Sequence, residues 1–136
     1  MKIDGDWDSK LEANCANLFA NLGWGVGKGE RIKGVPYIPD ITLLYHGDVY
    51  GYVDVVGEMM VDMLIKKKES IEGFLNGVKP KLYILTNGKS FDVFYNGKYT
   101  TTQTVPPSPD VATFADRMTT YYSFFRKMHK DGTNNE

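Results

Sequence analysis

Asp40 and Asp54 are the residues of this chain whose type and spacing best suit chemistry. Asp40 closes the segment Tyr37-Ile38-Pro39-Asp40, immediately before the apolar run Ile41 to Tyr45. Asp54 lies inside Tyr52-Val53-Asp54-Val55-Val56. Both runs read as strands and His46-Gly47-Asp48 reads as a turn, so they pair as a hairpin. In the obvious register the two carboxylates come side by side. Carboxylates so placed repel each other, and a Mg2+ or Mn2+ ion would relieve the repulsion. Magnesium favours one or two carboxylates with waters and substrate phosphate, and such an ion can polarise a phosphodiester and supply hydroxide. A plainer account has Asp40 starting a strand after a proline turn while Asp54 faces water. If Asp54 is buried instead it needs a partner, because an unpaired buried carboxylate costs several kcal/mol.

The elements that would position the pair are legible around it. Ser9-Lys10-Leu11-Glu12 is a capping box, and Leu11, Cys15, Leu18, Phe19 and Leu22 follow at the spacing of one helix face. Gly23 ends that helix. Trp24 to Gly34 is glycine-rich, part short strand or loop. Ile41 to Tyr45 is apolar apart from Thr42, as in a strand buried on both faces, and Val49 to Val56 is its return strand. Met59 to Phe74 reads as a helix, with Met60, Leu64, Ile71 and Leu75 on one face, Lys66-Lys67-Lys68 interrupting it, and Gly77 and Pro80 closing it. Lys81 to Thr86 and Phe91 to Tyr95 are strands joined at Asn87-Gly88, and Asn96-Gly97 turns again into Tyr99 and Thr100, both strong hairpin signals. Thr100 to Pro107 reads as a linker. Ser108-Pro109-Asp110 opens a last helix. All-apolar strands need both faces covered, so the expected class is α/β: a mixed central sheet flanked by helices.

The 136 residues suffice for one domain with a real core. We expect a single domain over 9–129, with a flexible N-terminus, 1–8, and a flexible tail, 130–136. The net charge of −1 excludes a global basic field, so any nucleic-acid surface must be local. Cys15 is the one cysteine, which excludes an internal disulfide and suits a reducing, cytoplasmic location. No apolar run approaches a membrane span, and the acidic first residues do not read as a signal peptide. His46 in a turn and His129 near a helix end suggest neither base nor ligand. Cys15 on an apolar stripe reads as core. Gly25-x-Gly27-x-Gly29 lacks the strand–turn–helix context of a nucleotide fingerprint.

Pro39-Asp40, a hairpin, then Asp54-x-Val56 resembles the signature of the PD-(D/E)XK nucleases. Glu12 with Leu22-Gly23-Trp24 is similar to that superfamily's first helix. Leu85-Thr86-Asn87-Gly88-Lys89, followed by Phe91-Asp92-Val93-Phe94-Tyr95, is similar to the hairpin near the end of the type I restriction endonuclease R-subunit N-terminal domain. The resemblance covers about residues 9–100. It implies a restriction-endonuclease-like core and a Mg2+- or Mn2+-dependent endonuclease that hydrolyses DNA phosphodiesters. Asp40 and Asp54 would be metal ligands, the Val55 carbonyl a backbone ligand, and Glu12 an auxiliary acid. The capping box accounts for Glu12 equally well.

Three positions depart from the pattern. The family lysine would fall at Val56, the second acid is the shorter Asp54, and Ser70-x-x-x-Phe74 stands where Gln-x-x-x-Tyr is common. A lysine can be supplied from elsewhere in this superfamily, and Lys67, with Lys66 and Lys68 beside it, is the candidate. Distance counts against it: from a helix start near Met59, Lys67 lies roughly 12 Å along the axis and a lysine spans about half that. The plainer reading of the three lysines is a solvated helix face. Glu58 is nearer to Asp54, though a helix-start glutamate is explained by the dipole. Lys28, Arg31, Lys33, Lys66 and Lys68 would meet DNA phosphates. Two rival readings remain: a catalytically degenerate module of the same fold that binds nucleic acid or a protein, and a homodimer formed through Tyr121, Tyr122, Phe124 and Phe125 of the last helix.

Overall fold

Ser9 starts the first helix as the capping pattern predicts. Its backbone is extended and its hydroxyl accepts from the Glu12 N–H at 3.1 Å. A computed structural model describes residues 9–29, 31, 32, 34–57 and 61–113. Helix α1 (Lys10–Asn21) leads into strands β1 (Gly25–Lys28), β2 (Ile41–Tyr45) and β3 (Asp48–Val55). Helix α2 (Val61–Val78) then crosses to β4 (Leu82–Thr86), β5 (Phe91–Tyr95) and β6 (Lys98–Gln103). The chain falls into two compact units, Met1–Pro106 and Pro107–Glu136, and the elements just named belong to the first. Lys33, Glu58, the N-terminal segment 1–8, the aromatic residues of the last helix and the tail lie outside the described residues.

The six strands neighbour one another in chain order. All pairs are antiparallel except β3 with β4. A parallel pair needs a long crossover, and α2 supplies it. This is the expected mixed α/β sheet flanked by helices, compatible with a restriction-endonuclease-like core. Alternation sends strand residues to opposite faces. On one face α1 buries Cys15, Ala16 and Phe19, and Phe19 meets Phe91 edge-on with centroids 6.2 Å apart. On the other, Ile71, Phe74 and Leu75 of α2 pack with Tyr83, and Tyr52, Leu85 and Phe94 join them. Covering both faces is what the buried runs Ile41 to Leu43 and Val53 to Val55 require.

The structure extends two of the expected elements. Helix α2 runs through Gly77 to Val78, so Gly77 does not close it. The stop is Lys79, which takes a left-handed φ of 50° and returns its N–H to the Leu75 carbonyl at 3.1 Å, followed by Pro80. The threonines at 100–102, expected in a linker, are strand β6, in keeping with the β-branched preference for extended backbone. Asn96-Gly97 turns as expected, both residues at positive φ. The Asn87 turn is longer: the Asn87 carboxamide oxygen accepts from the Lys89 and Ser90 N–H groups, and Thr86 Oγ1 accepts from Gly88 and donates to the Ser90 carbonyl. Among the described residues no helix is long and apolar enough to cross a membrane.

Candidate active site

The β2–β3 register pairs Ile41 with Val53, and one step further along the hairpin brings Asp40 opposite Asp54. Hydrogen bonds lock that arrangement. The Asp40 N–H donates to Asp54 Oδ1 at 3.1 Å, and the Val55 N–H donates to Asp40 Oδ2 at 2.8 Å. Each carboxylate thus accepts from backbone at or beside the other. Asp54 does not face water: it is 0% exposed, under α2. Its second oxygen, Oδ2, accepts from the Tyr83 hydroxyl at 2.5 Å. The Tyr37 hydroxyl is buried nearby and makes no hydrogen bond of strict geometry, yet it still favours the ionised carboxylate.

Lys67 completes the cluster. Its ammonium lies 3.2 Å from Asp40 Oδ2 and 3.3 Å from the Val55 carbonyl oxygen, to both of which it donates. The ion pair is partly buried, with the two side chains 17% and 20% exposed. Lys67 reaches the pair, against the expectation from its distance along the helix, for a topological reason. Length along the helix is not separation from Asp40, because a crossover helix travels back over the sheet it has just left. Its second turn therefore passes over the end of β3. Lys66 and Lys68 remain exposed, turned away by 100° on either side. A solvated face describes those two and not Lys67.

Burial pushes the Asp54 carboxyl up to about 6; the Tyr37 and Tyr83 hydroxyls and the Lys67 charge oppose that, and the Asp40 charge adds to it. Both tyrosines are pushed well above their usual range, first by burial and then by the Asp54 charge. Cys15 is buried core, and burial, then the Glu12 and Asp40 charges, push its thiol up to about 11. Glu12 is itself buried, on α1. Among the described residues no trio of His, Cys, Asp or Glu is placed to hold a metal ion, while Glu12 and Asp40 both act on the Cys15 thiol. Lys28 and Arg31 are exposed.

Gly29 fixes the approach to Asp40. Its N–H donates to the Asp40 carbonyl at 3.0 Å, and a Cβ at this position would stand 1.5 Å from the Pro39 carbonyl oxygen. Gly29→Ala must therefore displace the segment that carries Asp40. We expect it to lower stability by about 1–3 kcal/mol, read by urea denaturation. An unchanged midpoint would show that this close approach is not needed.

Sequence reasoning found Asp40, Asp54 and Lys67 but not Tyr83. No spacing marks Tyr83, because its hydroxyl reaches Asp54 across the β3–β4 pair, where Tyr83 lies opposite Tyr52. The available signal was a tyrosine in an otherwise apolar strand, since a buried tyrosine hydroxyl seeks a partner.

No protein-family model matches this chain, and no curated protein matches it. A solved cryo-EM structure of a DrdV–DNA complex is similar over 78% of this chain, at 17% identity and a TM-score of 0.44. The match spans 10% of that longer chain.

Proposed function

We propose that this protein is a divalent-metal-dependent nuclease-type module that hydrolyses DNA phosphodiesters, with Lys67 in the role for which Val56 is unfit. The observation that carries this reading is the convergence of Asp40, Asp54, the Val55 carbonyl and the Lys67 ammonium on the end of β3. The donor chemistry fits Mg2+ or Mn2+, which take carboxylate and carbonyl oxygens. A cationic ammonium already stands against two of these donors. Asp40, Asp54 and the Val55 carbonyl would hold the ion. When bound, it polarises the phosphodiester and lowers the pKa of a water.

The chain's own groups do the rest. Lys67 orients the attacking water or meets the charge that develops on the phosphate. The attacking water gives one proton to solvent as its oxygen joins phosphorus, one P–O ester bond breaks, and the departing oxygen takes a proton from solvent. Lys28, Arg31, Lys66 and Lys68, all exposed, are the cations we assign to backbone phosphates, and Lys33 joins them by sequence. With a net charge of −1 the contact is local, and affinity should fall with added salt.

The test is calorimetric Mn2+ titration beside a plasmid-cleavage assay. Wild-type protein is expected to bind Mn2+ and cleave, and Asp40→Ala to lose both. Binding unaffected by Asp40→Ala would falsify the site. One observation favours a second reading, a catalytically degenerate module that binds DNA or a protein. Asp54 is wholly buried with both oxygens already accepting, and Lys67 already offsets the charge of Asp40. The group is satisfied as it stands. Salt-sensitive DNA binding without Mn2+ binding or cleavage would decide for that reading.

A further inference from the structure

The Asp54 carboxylate is held by two donors from different parts of the fold. Oδ1 accepts from the Asp40 N–H on the same hairpin, while Oδ2 accepts from Tyr83, which β4 brings from beyond the α2 crossover. Tyr83 is 0% exposed. Its ring sits between Phe74, 6.0 Å away by centroids, and Phe94, 5.5 Å away. A ring so packed has little rotational freedom, and its hydroxyl is in turn a fixed point. A phenylalanine would fill the same space, so packing alone does not call for the hydroxyl. The Tyr37 hydroxyl also favours the ionised Asp54 carboxylate, and Tyr83 is the donor seated on Oδ2, at 2.5 Å.

We propose that Tyr83 is a positioning residue for the candidate metal ligand Asp54, its hydroxyl fixing the plane of the carboxylate from the far side of the sheet seam. The inference rests on the metal-binding reading above. Groups that hydrogen-bond a metal ligand from behind typically alter metal affinity about 10–100-fold when removed. Tyr83 acts through Asp54 and touches neither ion nor substrate.

Tyr83→Phe keeps the ring and removes the donor. It should bind Mn2+ about 10–100-fold more weakly by calorimetry, with a circular dichroism spectrum like that of wild type. In an Asp54→Ala background the same change should have no further effect on whatever Mn2+ affinity remains, because the carboxylate that the hydroxyl fixes is gone. A merely structural role would leave Mn2+ affinity unmoved in the folded single variant, and that result overturns the inference while leaving the metal site standing. No Mn2+ binding by wild type overturns both. If Tyr83→Phe does not fold, a Mg2+ titration of the wild-type protein carries the test. Carbon-13 signals of the Tyr83 ζ-carbon and the Asp54 carboxyl should shift with one shared affinity, and a Tyr83 signal that stays fixed while Asp54 responds refutes the proposal.

Discussion

Lys67→Met is expected to lower metal-dependent DNA cleavage by about 10²–10⁴-fold, the usual worth of a positioned proton-transfer group, without weakening Mn2+ binding. Methionine keeps the apolar stem in a pocket of about 310 Å³ that Lys67 lines with Val56, Ile71, Leu75, Leu85 and Phe94. What is lost is the ammonium at Asp40 Oδ2 and the Val55 carbonyl. That ammonium competes for the oxygens a divalent ion would use, so its removal should leave Mn2+ affinity equal or higher. A loss of affinity in step with cleavage would mark Lys67 as scaffolding. Position 56 supplies the converse test. Val56 lines the same pocket as Lys67 and lies two residues beyond Asp54 on the same face. Adding Val56→Lys to Lys67→Met should therefore restore part of the lost cleavage. In the wild-type background Val56→Lys should give no gain, since the place of the ammonium is taken. Cleavage by Lys67→Met at the wild-type rate would sink the assignment.

Asp54→Asn should change the pH dependence of stability. The folded carboxyl sits at about 6 against an ordinary value of 3.8, chiefly because of burial. Between those values the folded state holds the proton that the unfolded state has released. The stability contributed by the protonated group is thus complete below about pH 3.8 and lost as pH rises through about 6. The full difference amounts to roughly 3 kcal/mol at about 1.4 kcal/mol per pH unit. Asparagine does not titrate, and it can accept from the Asp40 N–H while donating to the Tyr83 oxygen. We expect Asp54→Asn to match wild type near pH 4 and to exceed it by about 2–3 kcal/mol at pH 7.5, measured by urea denaturation. Two parallel stability curves from pH 4 to 7.5 would rule this out. The variant that gains stability is also the one that gives up a charged ligand, the familiar opposition of stability and function.

Much of the fold was legible in the sequence because its signals are local. The Ser9 cap, the period-two and period-3.6 apolar patterns and the Asn96-Gly97 turn each involve residues a few positions apart. The Asp40–Asp54 contact was readable only in part: counted from the Tyr45–Asp48 end of the hairpin Asp40 would face Val53, and a register shift between Leu43 and Leu44 brings it opposite Asp54 instead. Where the reading failed, the deciding contact was long-range. Lys67 reaches Asp40 only because α2 turns back over β3, and Tyr83 reaches Asp54 only because β4 pairs with β3 in parallel. Gly77 reads as a stop because propensity weighs the residue alone, whereas α2 packs as far as Val78. Thr101 and Thr102 pair with β5, so the strand that the Asn96-Gly97 turn starts continues past the point where the linker was expected.

The sheet order has a consequence for how the site comes into being. Strands β1–β3 and β4–β6 are two contiguous antiparallel meanders, joined edge to edge by the one parallel pairing among the described strands. Each meander is made of short-range hairpins and should form early, whereas their union must wait for α2 to close its loop. Asp40 and Asp54 belong to the first meander, Tyr83 to the second, and Lys67 to the strap between them. The cluster is therefore also a latch: it exists only while the two halves are zipped. A chain that has folded both halves but not joined them holds the two aspartates against each other on β2 and β3 but lacks the Lys67 and Tyr83 contacts. Loosening of the seam should thus be felt at the cluster before either meander unravels.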